Sequence, residues 1–201
     1  GGYGFSRPED CLVYLLKGDQ SLALIDCGLG QSVDTILRNT ASLGLDEHKV
    51  EYVVATHGHI DHIGGLAQLK QRGVKVLAHQ EDLPAISQYN PRLNAADMYG
   101  VSFTPVEVDL VIKGETGQLE LGGLTLHLLH TPGHTPGSMV GYADLEGQRI
   151  LFGQDIHGPF HSAWRSNIKQ WRRSMEKVMA LQADILCEGH YGVIEGRKKV
   201  E

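Results

Sequence analysis

The segment Glu51-Tyr52-Val53-Val54-Ala55-Thr56-His57-Gly58-His59-Ile60-Asp61-His62-Ile63-Gly64-Gly65 governs the reading of this chain. Its first five residues are a short, largely apolar run rich in valine, which predicts a strand. From Ile63 to Arg72 apolar side chains recur at helical spacing and Gly73 offers a stop, so a helix is expected there. Between strand and helix lie four metal-competent side chains within six residues. In α/β sheets, ligands bind beyond the carboxyl ends of the strands. Residues two apart in extended chain point the same way, so His57 and His59 can converge on one point. Asp61 and His62, starting the helix, turn toward a neighbouring point.

The alternation continues on either side. Leu12–Leu16 and Leu22–Asp26, joined by the turn-like Lys17-Gly18-Asp19-Gln20, predict a hairpin. Gln31–Leu43 predicts a helix with Gly44 as its stop, and Val74–Ala78 a further strand. Residues 80–105 are less regular, with Pro84, Pro91 and Pro105 and exposed-looking Tyr89, Met98, Tyr99 and Phe103. Such a stretch is either a plain connection or a lid over a site. Strands dominate from Val108: 108–112, 119–121, 124–129, 139–143 and 150–152. A helix over 168–181, a strand over 185–187 and a last extended run over 191–195 follow. The class is α/β. Two β-rich halves, each with its own helices, predict a four-layer αββα sandwich if the sheets face one another, as one domain over 1–201.

Composition narrows the function. Hydrophobic residues at 41% and charged residues at 21% are ordinary globular usage, which argues against disorder or a fibrous repeat. No apolar run approaches the roughly 18–20 residues of a membrane-spanning helix. Twenty-four acidic against 18 basic residues, a formal charge of −6, argue against a dedicated nucleic-acid binder. The expected partner is a small-molecule substrate. Cys11, Cys27 and Cys187 are scattered and show no CxxC spacing, so a reducing, cytoplasmic setting is expected. The chain opens Gly1-Gly2-Tyr3, and a lost signal segment would change that expectation.

Histidine is the unusual entry in the composition, at 11 residues. Thr131-Pro132-Gly133-His134-Thr135-Pro136-Gly137-Ser138 sets His134 in a stiff loop between two predicted strands. Leu151-Phe152-Gly153-Gln154-Asp155 puts a carboxylate just past a strand, and Cys187-Glu188-Gly189-His190 does the same with an imidazole. Each alone has an ordinary reading as a capped loop or turn residue. Together with the first motif they supply five histidines and two aspartates at strand ends or in the loops that follow. Imidazole with carboxylate suits zinc, iron, manganese or cobalt, and the lack of nearby cysteine argues against a closed structural zinc site. Among the other histidines, His127 is expected to be structural, while His130 either supports a ligand or belongs to the core. His157 and His161 could line a substrate pocket, with solvated loop residues as the plainer reading; His48 and His79 look incidental. Arg165, Lys169, Arg172, Arg173 and Lys177 are expected to form the solvated face of a helix.

His-x-His-x-Asp-His with Gly-Gly, the Thr-Pro-Gly-His-Thr-Pro-Gly-Ser segment, an Asp after a strand and a late Gly-His together resemble the metallo-β-lactamase-fold hydrolase superfamily. The resemblance runs from Leu24-Ile25-Asp26-Cys27-Gly28 to Gly189-His190. It implies an αββα sandwich with a dinuclear site at the shared edge of the sheets, holding two divalent ions, zinc foremost, with iron and manganese as alternatives. By motif, His57, His59 and His134 would hold one metal, Asp61, His62 and His190 the second, and Asp155 would bridge them. Asp26 matches an acidic residue that supports the site from behind. The glyoxalase II-like branch is the nearest in flavour, although Gln154 stands where the family commonly has Gly. The implied reaction is hydrolysis of an activated acyl bond (thioester, lactone or ester) by a hydroxide shared between the metals, with Asp61 orienting it and relaying its proton. A mononuclear Fe(II) persulfide dioxygenase is the alternative from another chemical class. A β-lactamase or a nuclease on the same scaffold ranks behind it.

Overall fold

Tyr14–Lys17 (β1) and Leu22–Ile25 (β2) pair antiparallel, forming the expected hairpin. The computed structural model describes Gly2 and residues 4–200. From β2 the first sheet grows through helical crossovers. Val33–Ser42 (α1) leads to Val50–Val54 (β3); Ile60–Ile63 (α2) and Leu66–Gln71 (α3) lead to Lys75–His79 (β4). Leu83–Ile86 (α4) and Ala96–Tyr99 (α5) interrupt the long passage to Leu110–Ile112 (β5). The strand order is β1-β2-β3-β4-β5, parallel from β2 onward. The second sheet comprises Thr116–Glu120 (β6), Thr125–His130 (β7), Met139–Leu145 (β8), Gln148–Gln154 (β9), Ile185–Glu188 (β10) and Gly192–Glu195 (β11). Its order is β11-β10-β9-β8-β7-β6. All its pairs are antiparallel except β9 with β10, which are joined across Ile168–Ala180 (α6). Arg197–Val200 (α7) follows β11.

Strand alternation separates the layers. Leu22, Leu24, Val53 and Val76 lie in a core with Val33, Ile36 and Leu37 of α1 and Leu66 and Leu69 of α3. Their strand neighbours Ala23, Ile25, Val54 and Leu77 meet Leu126, Leu128, Met139 and Phe152 of the second sheet. On the far side Val140, Leu151 and Leu186 pack with Val178 of α6. The result is the αββα sandwich. Because β2 is covered on both faces, all four of its residues are buried, which is why it reads as an unbroken apolar run. Each buried Leu or Ile contributes roughly 1.5–3 kcal/mol to this arrangement.

Two expectations need correction. The helix expected over 63–72 starts earlier and is broken in two. A Cβ on Gly64 would lie 2.2 Å from the Leu29 carbonyl oxygen, and one on Gly65 2.7 Å from that of Cys27. The glycine pair thus lets the loop after β2 press directly on the helix axis, and the helix yields there. Phe103 is buried among the apolar residues of the first core, with 5% exposure, because the passage after α5 folds back over that layer. From the 80–105 stretch, Met98 and Tyr99 line one wall of a cleft. Asn94 is fully buried, and its carbonyl accepts the Ile60 N–H at 2.8 Å. Among the described residues, no helix is long and apolar enough to cross a membrane.

Candidate metal centre

The segments after β3, β9 and β10 and the β7–β8 loop meet at one edge of the sandwich. The Met139 N–H donates to the Thr56 carbonyl at 2.8 Å and closes the two sheets against each other there. All seven side chains singled out by motif arrive at this edge. Two groups form. His57 Nε2 lies 3.1 Å and His134 Nε2 2.9 Å from His59 Nδ1. His62 Nε2 lies 3.4 Å from His190 Nε2, and Asp61 Oδ2 is 3.6 and 3.5 Å from those two nitrogens. Asp155 spans the groups. Its Oδ2 is 3.5 Å from His134 Nε2 and 4.0 Å from His57 Nε2, while its Oδ1 is 3.2 Å from His190 Nε2 and 3.3 Å from His62 Nε2.

Hydrogen bonds behind the site aim these nitrogens. Asp26, fully buried, accepts the Thr56 N–H at 2.8 Å on Oδ1. Its Oδ2 accepts the Thr56 hydroxyl at 2.8 Å, His62 Nδ1–H at 2.7 Å and the Gln154 amide. His62 therefore keeps a proton on Nδ1 and turns Nε2 to the centre; burial would lower this imidazole, but the Asp155, Asp61 and Asp26 carboxylates around it hold it well above the usual histidine range, so a cation would take the place of the Nε2 proton. The Thr56 hydroxyl has one hydrogen, given to Asp26, so toward His57 Nδ1 at 3.2 Å it acts as acceptor. His57 Nε2 is then a lone pair. Gln154 has φ +44°, the left-handed backbone that favours glycine. Here the side chain adds a donor beneath Asp26.

This donor set fits a divalent cation. His59 Nδ1 faces two imidazole nitrogens and can carry only one hydrogen, so the first group cannot satisfy itself by hydrogen bonding. Buried Asp155 Oδ1 has no hydrogen-bond partner. His57/His59/His134, His57/His62/Asp155 and Asp61/His62/His190 each bring three ligand atoms within 4.8 Å of one another. Burial holds the His57 and His59 imidazoles well below the usual histidine range and lowers His134 to about 4, keeping all three in the neutral, liganding form. Burial would lift Asp155, but His62 and His190, both held above the usual histidine range beside it, keep its carboxyl well below the usual range. Asp61 is pushed upward by burial, and so is the Tyr99 phenol, with the Asp61 carboxylate adding to the effect.

An open cleft of about 290 Å³ leads to both groups, walled by Met98, Tyr99, His157, Trp164 and Tyr191. The Trp164 ring centroid is 4.5 Å from that of His59. Of the remaining histidines, His127 stacks on Tyr142 away from the site. His130 touches no candidate ligand; its Nε2 meets the Pro136 carbonyl at 2.9 Å and its ring stacks on buried His79. His161 is exposed and caps a short turn through Ala163 N–H, and His48 is exposed. His157 departs from the plainer expectation: it is half-buried in the cleft wall, 2.8 Å from Glu188. The basic residues of α6 are exposed, with Lys177 paired to Glu115 and Arg172 to Glu176.

Asp82 went unnoticed in the sequence. It is buried and accepts Gly58 N–H and Gly137 N–H at 2.8 Å each and the Thr135 hydroxyl at 2.6 Å, tying the His57–His62 loop to the His134 loop. A Cβ on Gly137 would lie 2.6 Å from Asp82, so that glycine is what admits the carboxylate. No motif surrounds Asp82, and its only signal is a charge just before an apolar helix. Glu188 carried a better signal, a carboxylate ending an apolar strand two residues before His190.

A family model described as the metallo-beta-lactamase superfamily matches residues 6–190. The chain is 25% identical over 185 residues to the probable metallo-hydrolase YybB of Bacillus subtilis, covering 88% of this chain and 79% of that one. It is 32% identical over 149 residues to a hydroxyacylglutathione hydrolase of Anaeromyxobacter dehalogenans, covering 74% of this chain and 47% of that one. Among solved structures, the subclass B3 metallo-beta-lactamase BJP-1 of Bradyrhizobium japonicum superposes with a TM-score of 0.74 at 28% identity, over 89% of this chain and 70% of that one.

Proposed function

Because the chain belongs to the metallo-beta-lactamase superfamily of metallo-hydrolases, we propose that it hydrolyses an activated acyl bond, a thioester, lactone or ester, of a small-molecule substrate at a dinuclear centre. The observation that carries the count of two is Asp155, whose two oxygens face two separate histidine groups. In this reading His57, His59 and His134 hold one ion, Asp61, His62 and His190 the other, and zinc is the first candidate. When bound, such ions supply Lewis acidity and lower the pKa of a coordinated water from about 15.7 toward about 7. The chain's own residues do the rest. Asp61, at the cleft and within the second group, would orient the attacking water and relay its proton. Tyr99, beside it, holds the carbonyl end of the substrate in place. Met98, Trp164 and Tyr191 line the open cleft and suit an apolar acyl group.

A second reading, a β-lactamase, is favoured by the superposition on a subclass B3 enzyme. Elemental mass spectrometry on protein purified without chelator, followed by a panel of S-lactoylglutathione, an acyl homoserine lactone, p-nitrophenyl butyrate and nitrocefin, tests both. About two metal equivalents with turnover of the first three substrates supports the acyl hydrolase, and turnover of nitrocefin alone supports the second reading. A single iron with thiol-dependent oxygen uptake would overturn both in favour of a dioxygenase.

A further inference from the structure

Glu188 ends β10 as a carboxylate only 3% exposed, in a strand whose other residues are apolar. Its Oε2 accepts two backbone N–H groups, from His190 at 2.5 Å and Tyr191 at 2.6 Å. Its Oε1 lies 2.8 Å from His157 Nε2, and its own carbonyl accepts the Tyr14 hydroxyl at 2.6 Å. His157 follows Asp155 by two residues, and Glu188 precedes His190 by two. One side chain thus joins the loop that delivers Asp155 to the turn that delivers His190. His157 Nδ1 bonds the Gly158 carbonyl, while Nε2 meets Glu188 Oε1 as an ion-pair contact outside hydrogen-bonding geometry, so His157 stands between the two loops as a strut. His190 depends on such support, being the more exposed of the five histidines, 31% accessible where the others are nearly sealed.

We propose that Glu188 is a positioning residue for the second metal position: one oxygen sets the turn that aims His190, and the other braces the Asp155 loop through His157. The inference rests on the reading of His190 as a ligand. Its physical basis is reach. A glutamate spans from the strand end to both the turn and His157, whereas an aspartate is one methylene short. A glutamine keeps one acceptor oxygen for the two backbone N–H groups and can turn its amide toward His157.

The test is zinc binding to the metal-free full chain, followed by calorimetry and elemental analysis, with circular dichroism reporting the fold. Glu188→Ala and Glu188→Asp are expected to keep one tight zinc and to weaken the second by about 10–100-fold, the usual cost of losing a partner behind a ligand. Glu188→Gln is expected to stay within a few-fold of the parent, and His157→Ala to fall between. Parent-like binding by Glu188→Asp or Glu188→Ala overturns the proposal, and so does a Glu188→Gln as weak as Glu188→Ala, since charge rather than reach would then matter. If Glu188→Ala does not fold, the Asp and Gln variants decide. His190→Ala separates the two levels. If it binds as much zinc as the parent, the ligand reading fails; if it loses one equivalent while Glu188→Ala and Glu188→Asp lose none, only the role of Glu188 fails.

Discussion

Asp26→Ala probes the support of the site most directly. In the folded chain this fully buried carboxylate accepts from the Thr56 backbone N–H, the Thr56 hydroxyl, His62 Nδ1 and the Gln154 amide. Two of these donors can find other partners: the hydroxyl rotates, and the Gln154 amide already reaches toward the Leu12 carbonyl at 3.4 Å. The other two cannot. The Thr56 N–H is fixed by the strand end, and His62, fully buried, has no room to turn. Two orphaned buried donors cost about 1–3 kcal/mol each, so about 2–6 kcal/mol in all. At about 2–4 °C per kcal/mol for a chain of this size, a central value of about 4 kcal/mol lowers Tm by about 8–16 °C. Asp26→Asn keeps the volume and one acceptor oxygen and should lose roughly half as much. Thermal unfolding of the metal-free protein by circular dichroism reads the effect without interference from bound ions. With His62 no longer held, the second zinc should also bind about 10–100-fold more weakly. An Asp26→Ala protein with parent-like Tm and two parent-like zinc affinities would refute the account of how His57 and His62 are aimed.

Asp155→Ala should drop the metal content from about two equivalents to one or none and abolish most hydrolysis. A fully metallated, fully active variant in elemental analysis and substrate assay would sink the bridging role. Metal-free protein should lose stability on acidification through His134, whose folded value is about 4 against 6.5. Below 6.5 the unfolded chain takes up a proton that the folded one refuses. This group therefore contributes a decline of up to about 1.4 kcal/mol per pH unit between pH 6.5 and about 4. Urea midpoints at pH 7 and 5, with chelator present, should show a shallower decline for His134→Asn than for the parent, and equal slopes would contradict it.

The layered architecture was legible because strand and helix alternate visibly and because β2, covered on both faces, leaves a continuous apolar run. The break between α2 and α3 was not legible. It comes from the Leu29 and Cys27 carbonyls pressing on Gly64 and Gly65, a contact across more than 30 residues of chain. Phe103 was misread for the same kind of reason, since an aromatic residue in an irregular stretch declares nothing about which layer folds over it.

For the site, local order carries part of the content. Two-residue spacing after a strand aims His57 and His59 together whatever else the chain does, so sequence alone determined that a metal-competent cluster sits past β3. That His134, Asp155 and His190 join it was inferred from motif and resemblance. Only the packing of the two sheets decided it, by bringing the β7–β8 loop and the ends of β9 and β10 to the edge that Thr56 and Met139 seal. Tertiary structure alone also decided which nitrogen His62 and His57 offer, through Asp26 and Thr56, and which carboxylates act from behind, Asp82 and Glu188. A hydrogen bond between residues 24 to 55 positions apart, as at Asp82, has no period or spacing to betray it. It exists because a buried acceptor must find its donors wherever the fold has placed them.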